Sequence, residues 1–195
     1  MKSNLSLQST QNFVKNELKQ HTENIKLMYD LVPNICELAN QISSAFKRGN
    51  KLLICGNGGS AADAQHFSSE IIGKYEKNRK SLPAISLSTD TSALTAISND
   101  FGFEHIFSRQ IEGLGEAGDI LIVISTSGNS KNLIKAIETA KSKNIKSAAL
   151  LGRKGGLIFK ISDLEITVAS DRTCRIQEMH GLIIHIICGL LEISE

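Results

Sequence analysis

Five short, almost wholly apolar runs constrain what this chain of 195 residues can become: Lys51–Cys55 (KLLIC), Pro83–Leu87 (PAISL), Asp119–Ile124 (DILIVI), Lys146–Leu151 (KSAALL) and Leu164–Val168 (LEITV). Runs of this length and texture read as strands buried on both faces. Most are separated by segments long enough for a helix, so strand and helix alternate. The pattern predicts an α/β fold: a doubly wound, five-stranded, mainly parallel sheet sandwiched by helices.

A helical arm precedes the first strand. From Thr10 to Leu31, Phe13, Val14, Leu18, Ile25, Leu27, Met28 and Leu31 recur among charges at roughly helical spacing, and the pattern ends just before Pro33. A second helix, about Ile35 to Arg48, stops at Gly49. No repeat and no Gly/Ser/Pro-rich linker divides the chain, so 1–195 reads as one domain, with N-terminal helices over 1–49 and the sandwich over 50–195. The last helix runs from about Arg175 to Glu192. Its stretch Gly181–Leu191 is apolar nearly all round except for His185, but eleven residues fall short of the about 20 that a bilayer requires.

Composition narrows the partners. With Lys plus Arg at 22 and Asp plus Glu at 20, the net charge of +2 makes no electrostatic case for nucleic acid or an anionic membrane. Any anion must be held locally. Aromatic residues make up 5% with no Trp, so platforms for stacking bases are scarce. The four cysteines, Cys36, Cys55, Cys174 and Cys188, form no CxxC pair, and the polar start MKSNLSLQSTQN carries no apolar leader, so reduced thiols in the cytoplasm are expected. A domain of this size buries a core yet can expose apolar faces that only an oligomer covers, above all on the closing helix.

In a doubly wound sheet, ligands sit at the carboxyl ends of the strands, so the loops after Cys55 and Ile124 matter most. Ser125-Thr-Ser-Gly-Asn-Ser130 precedes the amphipathic segment Lys131–Lys141 and gathers four hydroxyls at a helix N-terminus, the chemistry of an anion site. It lacks the lysine of a GxxxxGK[ST] loop, so a phosphate monoester suits it better than ATP. The same residue types also mark ordinary turns and caps. Gly56-Asn-Gly-Gly-Ser-Ala61 fits the variant dinucleotide fingerprint ending in Ala, with Glu76 about 20 positions on, so spacing leaves that reading open.

His66 and Glu70, four apart, project from one helix face about 6 Å apart along the axis, where they can share a metal ion or a substrate, or form a simple solvated contact. The last helix supplies Gln177, Glu178, His180 and His185. Within Ile183-Ile-His-Ile-Ile187, His185 must find a partner across space if buried.

Taken together, Gly56-Asn-Gly-Gly-Ser-Ala-Ala-Asp-Ala-Gln-His-Phe67 with Glu70, Ser98-Asn-Asp-Phe-Gly-Phe103, Ser125–Ser130 and Arg175-Ile-Gln-Glu-Met-His180 with His185 resemble the sedoheptulose 7-phosphate (phosphoheptose) isomerases of the SIS, or sugar isomerase, domain family. The likeness runs from about Glu17 to Glu192. It implies an aldose-ketose isomerase making D-glycero-D-manno-heptose 7-phosphate for lipopolysaccharide or capsule, assembled as a homotetramer with active sites between subunits. It also implies that Asn57, Gly58, Gly59, Ser60, Asn99, Asp100 and Gln177 contact substrate, and that Ser125, Thr126, Ser127 and Ser130 hold the phosphate. A zinc ion would sit on His66, Glu70, Gln177 and His185, with Glu70 and His185 the acid/base pair. Gln177 and His185 lie eight positions apart, about 12 Å along a straight helix and roughly 80° around it, which sets Gln177 apart from the other three. Cys174 stands where a small residue is expected, and Lys74 where an arginine is common. The alternatives are a non-catalytic SIS-domain tetramer of the replication-initiator-associating kind, a sugar-phosphate-binding regulator, or an isomerase of another ketose phosphate.

Overall fold

The computed structural model describes residues 6–193. The arm consists of α1 (Leu7–Leu27) and α2 (Val32–Lys47), joined by a 3-10 turn over Met28–Leu31. Ser6 caps α1 by accepting the Ser9 N–H at 3.2 Å. Pro33 does not end the first helix, as expected, but opens the second: in a first turn its missing N–H forfeits no bond and its φ is already helical. The break lies instead at the turn, where Met28 is buried against the body of the protein.

The body follows as β1 (Leu52–Gly56), α3 (Gly59–Ile72), β2 (Ala84–Ser86), α4 (Thr91–Phe101), α5 (Ser108–Leu114), β3 (Ile120–Ser125), α6 (Lys131–Ser142), β4 (Lys146–Gly152), β5 (Leu164–Val168) and α7 (Thr173–Ile193). All pairings are parallel, in the order β2-β1-β3-β4-β5. Ile54 aligns with Ile122, Ile122 with Ala148, and Ala148 with Leu164, so one row of apolar side chains crosses four strands.

Strand periodicity divides those side chains between two cores. Leu52, Ile54, Ile120, Ile122 and Ile124 face α2, α3 and α7, meeting Leu38, Ile42, Phe67, Ile183 and Ile187. Leu53, Cys55, Leu121 and Val123 face the other way, onto Ile111 of α5 and Leu133, Ala136, Ile137 and Ala140 of α6. The α6 spacing i, i+3, i+4, i+7 is one helical stripe. Each fully buried Leu or Ile contributes on the order of 1.5–3 kcal/mol, and both faces of the sheet are covered, so the strands need no polar alternation.

The helix α7 is 21 residues long and apolar enough on average to cross a membrane by length and composition, yet half of its apolar window is buried inside the protein. Its Ile176, Met179, Ile183, Ile184, Ile187, Cys188 and Leu191 belong to the core. The uncovered apolar surface lies mainly elsewhere than on this helix: Leu7, Phe13, Val14 and Leu18 of α1 are exposed, with Phe13 and Leu18 each at 64%. Polar bonds hold the arm to the start of α7. Arg172 pairs with Glu17 at 2.8 Å, Arg175 donates to the Glu17 carbonyl at 2.9 Å, and His21 meets Glu178 at 2.7 Å.

Candidate active site

Strands β1 and β3 are neighbours whose onward connections lead to opposite edges of the sheet, which leaves a crevice between their carboxyl ends. Two loops rim it. After β1, Gly58 takes φ +56° to turn the chain into α3. After β3, Gly128 takes φ +66°, and the Gly155 carbonyl occupies the space where a Cβ would go, so only glycine fits. Within this second loop Ser125 Oγ accepts the Gly128 N–H at 3.0 Å and Ser127 Oγ accepts the Asn129 N–H at 3.3 Å. Asn129 Oδ1 in turn accepts the Leu157 N–H at 3.0 Å, tying the loop to the segment after β4.

Asn57, Ser60, Ser125, Thr126, Ser127 and Ser130, with Ile124 and Leu133, line a pocket of about 70 Å³. The helices α3 and α6 both begin at its wall, so the positive ends of two helix dipoles lie beside it. Ser130 is the N-cap of α6 with extended backbone, but its hydroxyl makes no capping bond and is available to a ligand. The two loops are joined by a reciprocal amide pair: Asn57 Nδ2 donates to Asn132 Oδ1 at 3.0 Å, and Asn132 Nδ2 donates back at 2.9 Å. Asn132, which the sequence did not single out, is 2% exposed and fixes Asn57 at the rim. The pocket gathers uncharged hydroxyls at the start of two helices, a chemistry that suits an oxyanion.

The second group of expected residues sits further along α3. His66 Nε2 lies 3.2 Å from Glu70 Oε1 and 3.4 Å from Nε2 of His185 on α7. The two imidazoles meet edge to face, with centroids 5.0 Å apart, and Tyr75 stacks on the far side of His185 at 5.5 Å. His185 is half-buried and does find its partners across space. One ligand atom from each of His66, Glu70 and His185 falls within 4.8 Å of the others. Donors about 2.05 Å from a tetrahedral ion are about 3.3 Å from one another, so this spacing fits a zinc-sized cation. Asp63, one turn before His66, has a buried, unpartnered Oδ2; burial pushes its carboxyl up, against the pull of His66.

Gln177 stands elsewhere on the shared helix face. An added Cβ on Gly59 would strike its amide, which places Gln177 at the start of α3, seven residues before His66. Asn99 and Asp100 lie exposed near the end of α4, bonded to each other at 2.8 Å. His180 is fully buried, its Nε2 3.0 Å from the Leu151 carbonyl. Glu76 belongs to the segment before β2, where its N–H bonds to Glu192. The acid that a dinucleotide ribose requires is therefore not beside the glycine loop, and that reading falls.

Residues 16–152 match the family model of the SIS domain. The chain is 49% identical over 183 residues to phosphoheptose isomerase 1 of Campylobacter jejuni, covering 94% of this chain and 98% of that one. It belongs to the phosphoheptose isomerases, a SIS-domain family. Among solved structures, the phosphoheptose isomerase of Neisseria gonorrhoeae superposes with a TM-score of 0.90 at 42% identity, over 94% of this chain and 98% of that one. The enzyme from Francisella tularensis gives 0.90 at 36%, over 93% and 97%. The expected fold and family thus hold together: this is an isomerase of the SIS fold, and the non-catalytic scaffold and regulator readings give way. What the sequence did not show in this phosphoheptose isomerase is how Asn132, Tyr75 and Asp63 surround the expected groups.

Proposed function

We propose that this isomerase converts sedoheptulose 7-phosphate to D-glycero-D-manno-heptose 7-phosphate, the entry to activated heptose for lipopolysaccharide or capsule. The observation that carries the reading is the meeting of Glu70, His66 and His185 in a chain whose β1/β3 crevice is lined by hydroxyls and helix N-termini of the kind that suit a phosphate. The ketose gives up a proton from C1 to form an enediol, and a proton is delivered to C2; the O1 proton leaves as O2 gains one. Glu70 takes and returns the carbon-bound proton, and His185 moves protons between the oxygens. Ser125, Thr126, Ser127 and Ser130 hold the phosphate, while Asn57, Gly58, Gly59, Ser60, Asn99 and Asp100 meet the sugar. Gln177, beside Gly59, is placed to bond a sugar hydroxyl.

His66, Glu70 and His185 would hold a Zn²⁺ ion, whereas Gln177, which the family pattern also implies as a donor, lies beside Gly59 and apart from these three. When bound, zinc supplies Lewis-acid polarisation of the substrate carbonyl. Histidine nitrogens and a carboxylate suit that metal.

The working unit is a homotetramer with its active sites between subunits. Two features support this. From Ser60, in the pocket, to Glu70 is ten residues of helix, about 15 Å along the axis, which a seven-carbon sugar phosphate bridges only when fully extended. A phosphate held by one copy is better served by the Glu70 and His185 of another. The second feature is uncovered apolar surface: α1, and a cleft of about 320 Å³ lined by residues that include Ile25, Met28, Val32, Leu182, Ile186 and Leu190. All four cysteines are unpaired thiols, in keeping with a cytoplasmic enzyme.

The test is to incubate purified protein with sedoheptulose 7-phosphate, with zinc and with chelator, and look for the heptose 7-phosphate. Formation of the aldose with zinc is expected. No turnover by folded, zinc-supplied protein would overturn the reading.

A further inference from the structure

The segment between α3 and β2 folds back over the end of α7, and one buried carboxylate holds it there. Glu192, its side chain 3% exposed, accepts the backbone N–H groups of Tyr75 at 2.9 Å, Glu76 at 3.1 Å and Lys77 at 2.8 Å. Arg79, itself 6% exposed, closes the other side with Nε 3.4 Å from Glu192 Oε1. Burial alone would raise the Glu192 carboxyl, but the N–H groups of Lys77, Glu76 and Tyr75 and the Arg79 charge outweigh it and hold it below its ordinary value. A buried charge is costly unless fully paired, and this one is satisfied on both oxygens.

Both arms of the anchor end on the reacting pair. The Arg79 guanidinium donates to the carbonyl of Glu70 at 2.8 Å and to that of Ile71 at 2.9 Å, gripping the last turn of α3. The segment it steadies carries Tyr75, whose ring lies on that of His185 with centroids 5.5 Å apart and planes inclined by 27°. A purely stabilising anchor has no need to terminate on both groups at once. We infer that Glu192 and Arg79 are positioning residues of the isomerase, setting Glu70 through its backbone carbonyl and His185 through the ring of Tyr75. This rests on the reading that Glu70 and His185 move the protons. A displacement of about 1 Å at reacting groups can cost on the order of 100-fold in rate, so an anchor remote from the substrate acts on kcat.

The experiment compares Tyr75→Leu, Tyr75→Phe and Glu192→Gln in the intact, zinc-supplied enzyme, with Glu70→Gln as the control on the underlying reading. Tyr75→Leu and Glu192→Gln are expected to lower kcat about 10- to 100-fold with KM within about twofold, and Tyr75→Phe, which keeps the ring, to retain most of kcat. With five histidines in the chain, isotope-labelled histidine NMR resolves the His185 ring. Its signal, displaced by the Tyr75 ring current in wild type and in Tyr75→Phe, moves in Glu192→Gln toward its place in Tyr75→Leu. Wild-type kcat in Tyr75→Leu, or a folded Glu192→Gln with kcat and the His185 signal unmoved, overturns the inference. If Glu192→Gln does not fold, the Tyr75 pair alone decides. If Glu70→Gln stays active, the proton-transfer reading has failed instead, and the His185 signal still decides whether the anchor sets that ring.

Discussion

Nε2 of His66 and Nε2 of His185 face each other at 3.4 Å across two helices that run side by side, α3 and α7, from positions 119 residues apart in sequence. Two ring nitrogens at that distance, with Glu70 Oε1 3.2 Å from the first, converge on a point that a cation can occupy. His66→Ala should therefore weaken Zn²⁺ binding by more than the roughly 10- to 100-fold that losing an outer-shell partner costs. Competition against a chromophoric chelator measures it, and unchanged affinity would remove the cluster as a metal site.

Glu70→Gln keeps the shape of the side chain and removes its carboxylate. Its kcat should fall by about 10² to 10⁴, with thermal stability and binding of inorganic phosphate close to wild type. Near-normal turnover would exclude Glu70 from the proton transfer.

Ser130 caps α6 without a capping bond, so its hydroxyl can be deleted at little cost to the helix. Hydrogen bonds to charged groups are worth about 1.5–3 kcal/mol, so Ser130→Ala should raise KM about tenfold or more and shift the melting temperature little. Steady-state kinetics beside a melting curve checks both; an unchanged KM would take Ser130 out of the phosphate site.

Burial pushes the His180 imidazole down to about 4, with the Leu151 carbonyl pulling weakly the other way. The unfolded chain takes up a proton as pH falls through about 6.5, and the folded one does not until about 4, so stability present at neutral pH is lost across that window, by up to about 3 kcal/mol at about 1.4 kcal/mol per unit. His180→Gln retains an N–H for Leu151 and does not titrate. Its urea midpoint should fall less steeply than that of wild type between pH 6.5 and 4; parallel curves would show that His180 is not the group responsible.

The layers of the fold were readable because strands buried on both faces have no choice but to be apolar on both, as in Ile120 to Ile124 of β3. The arm's break was misplaced because Pro33 is as comfortable at the start of a helix as it is hostile to the middle of one. The apolar surplus of α7 suggested an outer face; most of it is used against the sheet, α2 and α3, and what remains outside is the strip of Leu182, Ile186 and Leu190 along the cleft. At the site, local pairs were visible: four hydroxyls in one loop, and His66 with Glu70 on one face. The long-range partners were not, since nothing near Asn57 announces Asn132, and nothing near Tyr75 announces Glu192.

The amide pair of Asn57 and Asn132 has one more effect, on how this enzyme answers to acidity. Its members do not ionise, and neither does Ile124, Leu133 or any of the serines and the threonine around them. The cradle keeps its form and its donors across the physiological pH range, so acidity reaches this pocket only through what it holds, and a phosphate monoester has its second ionisation near about 6.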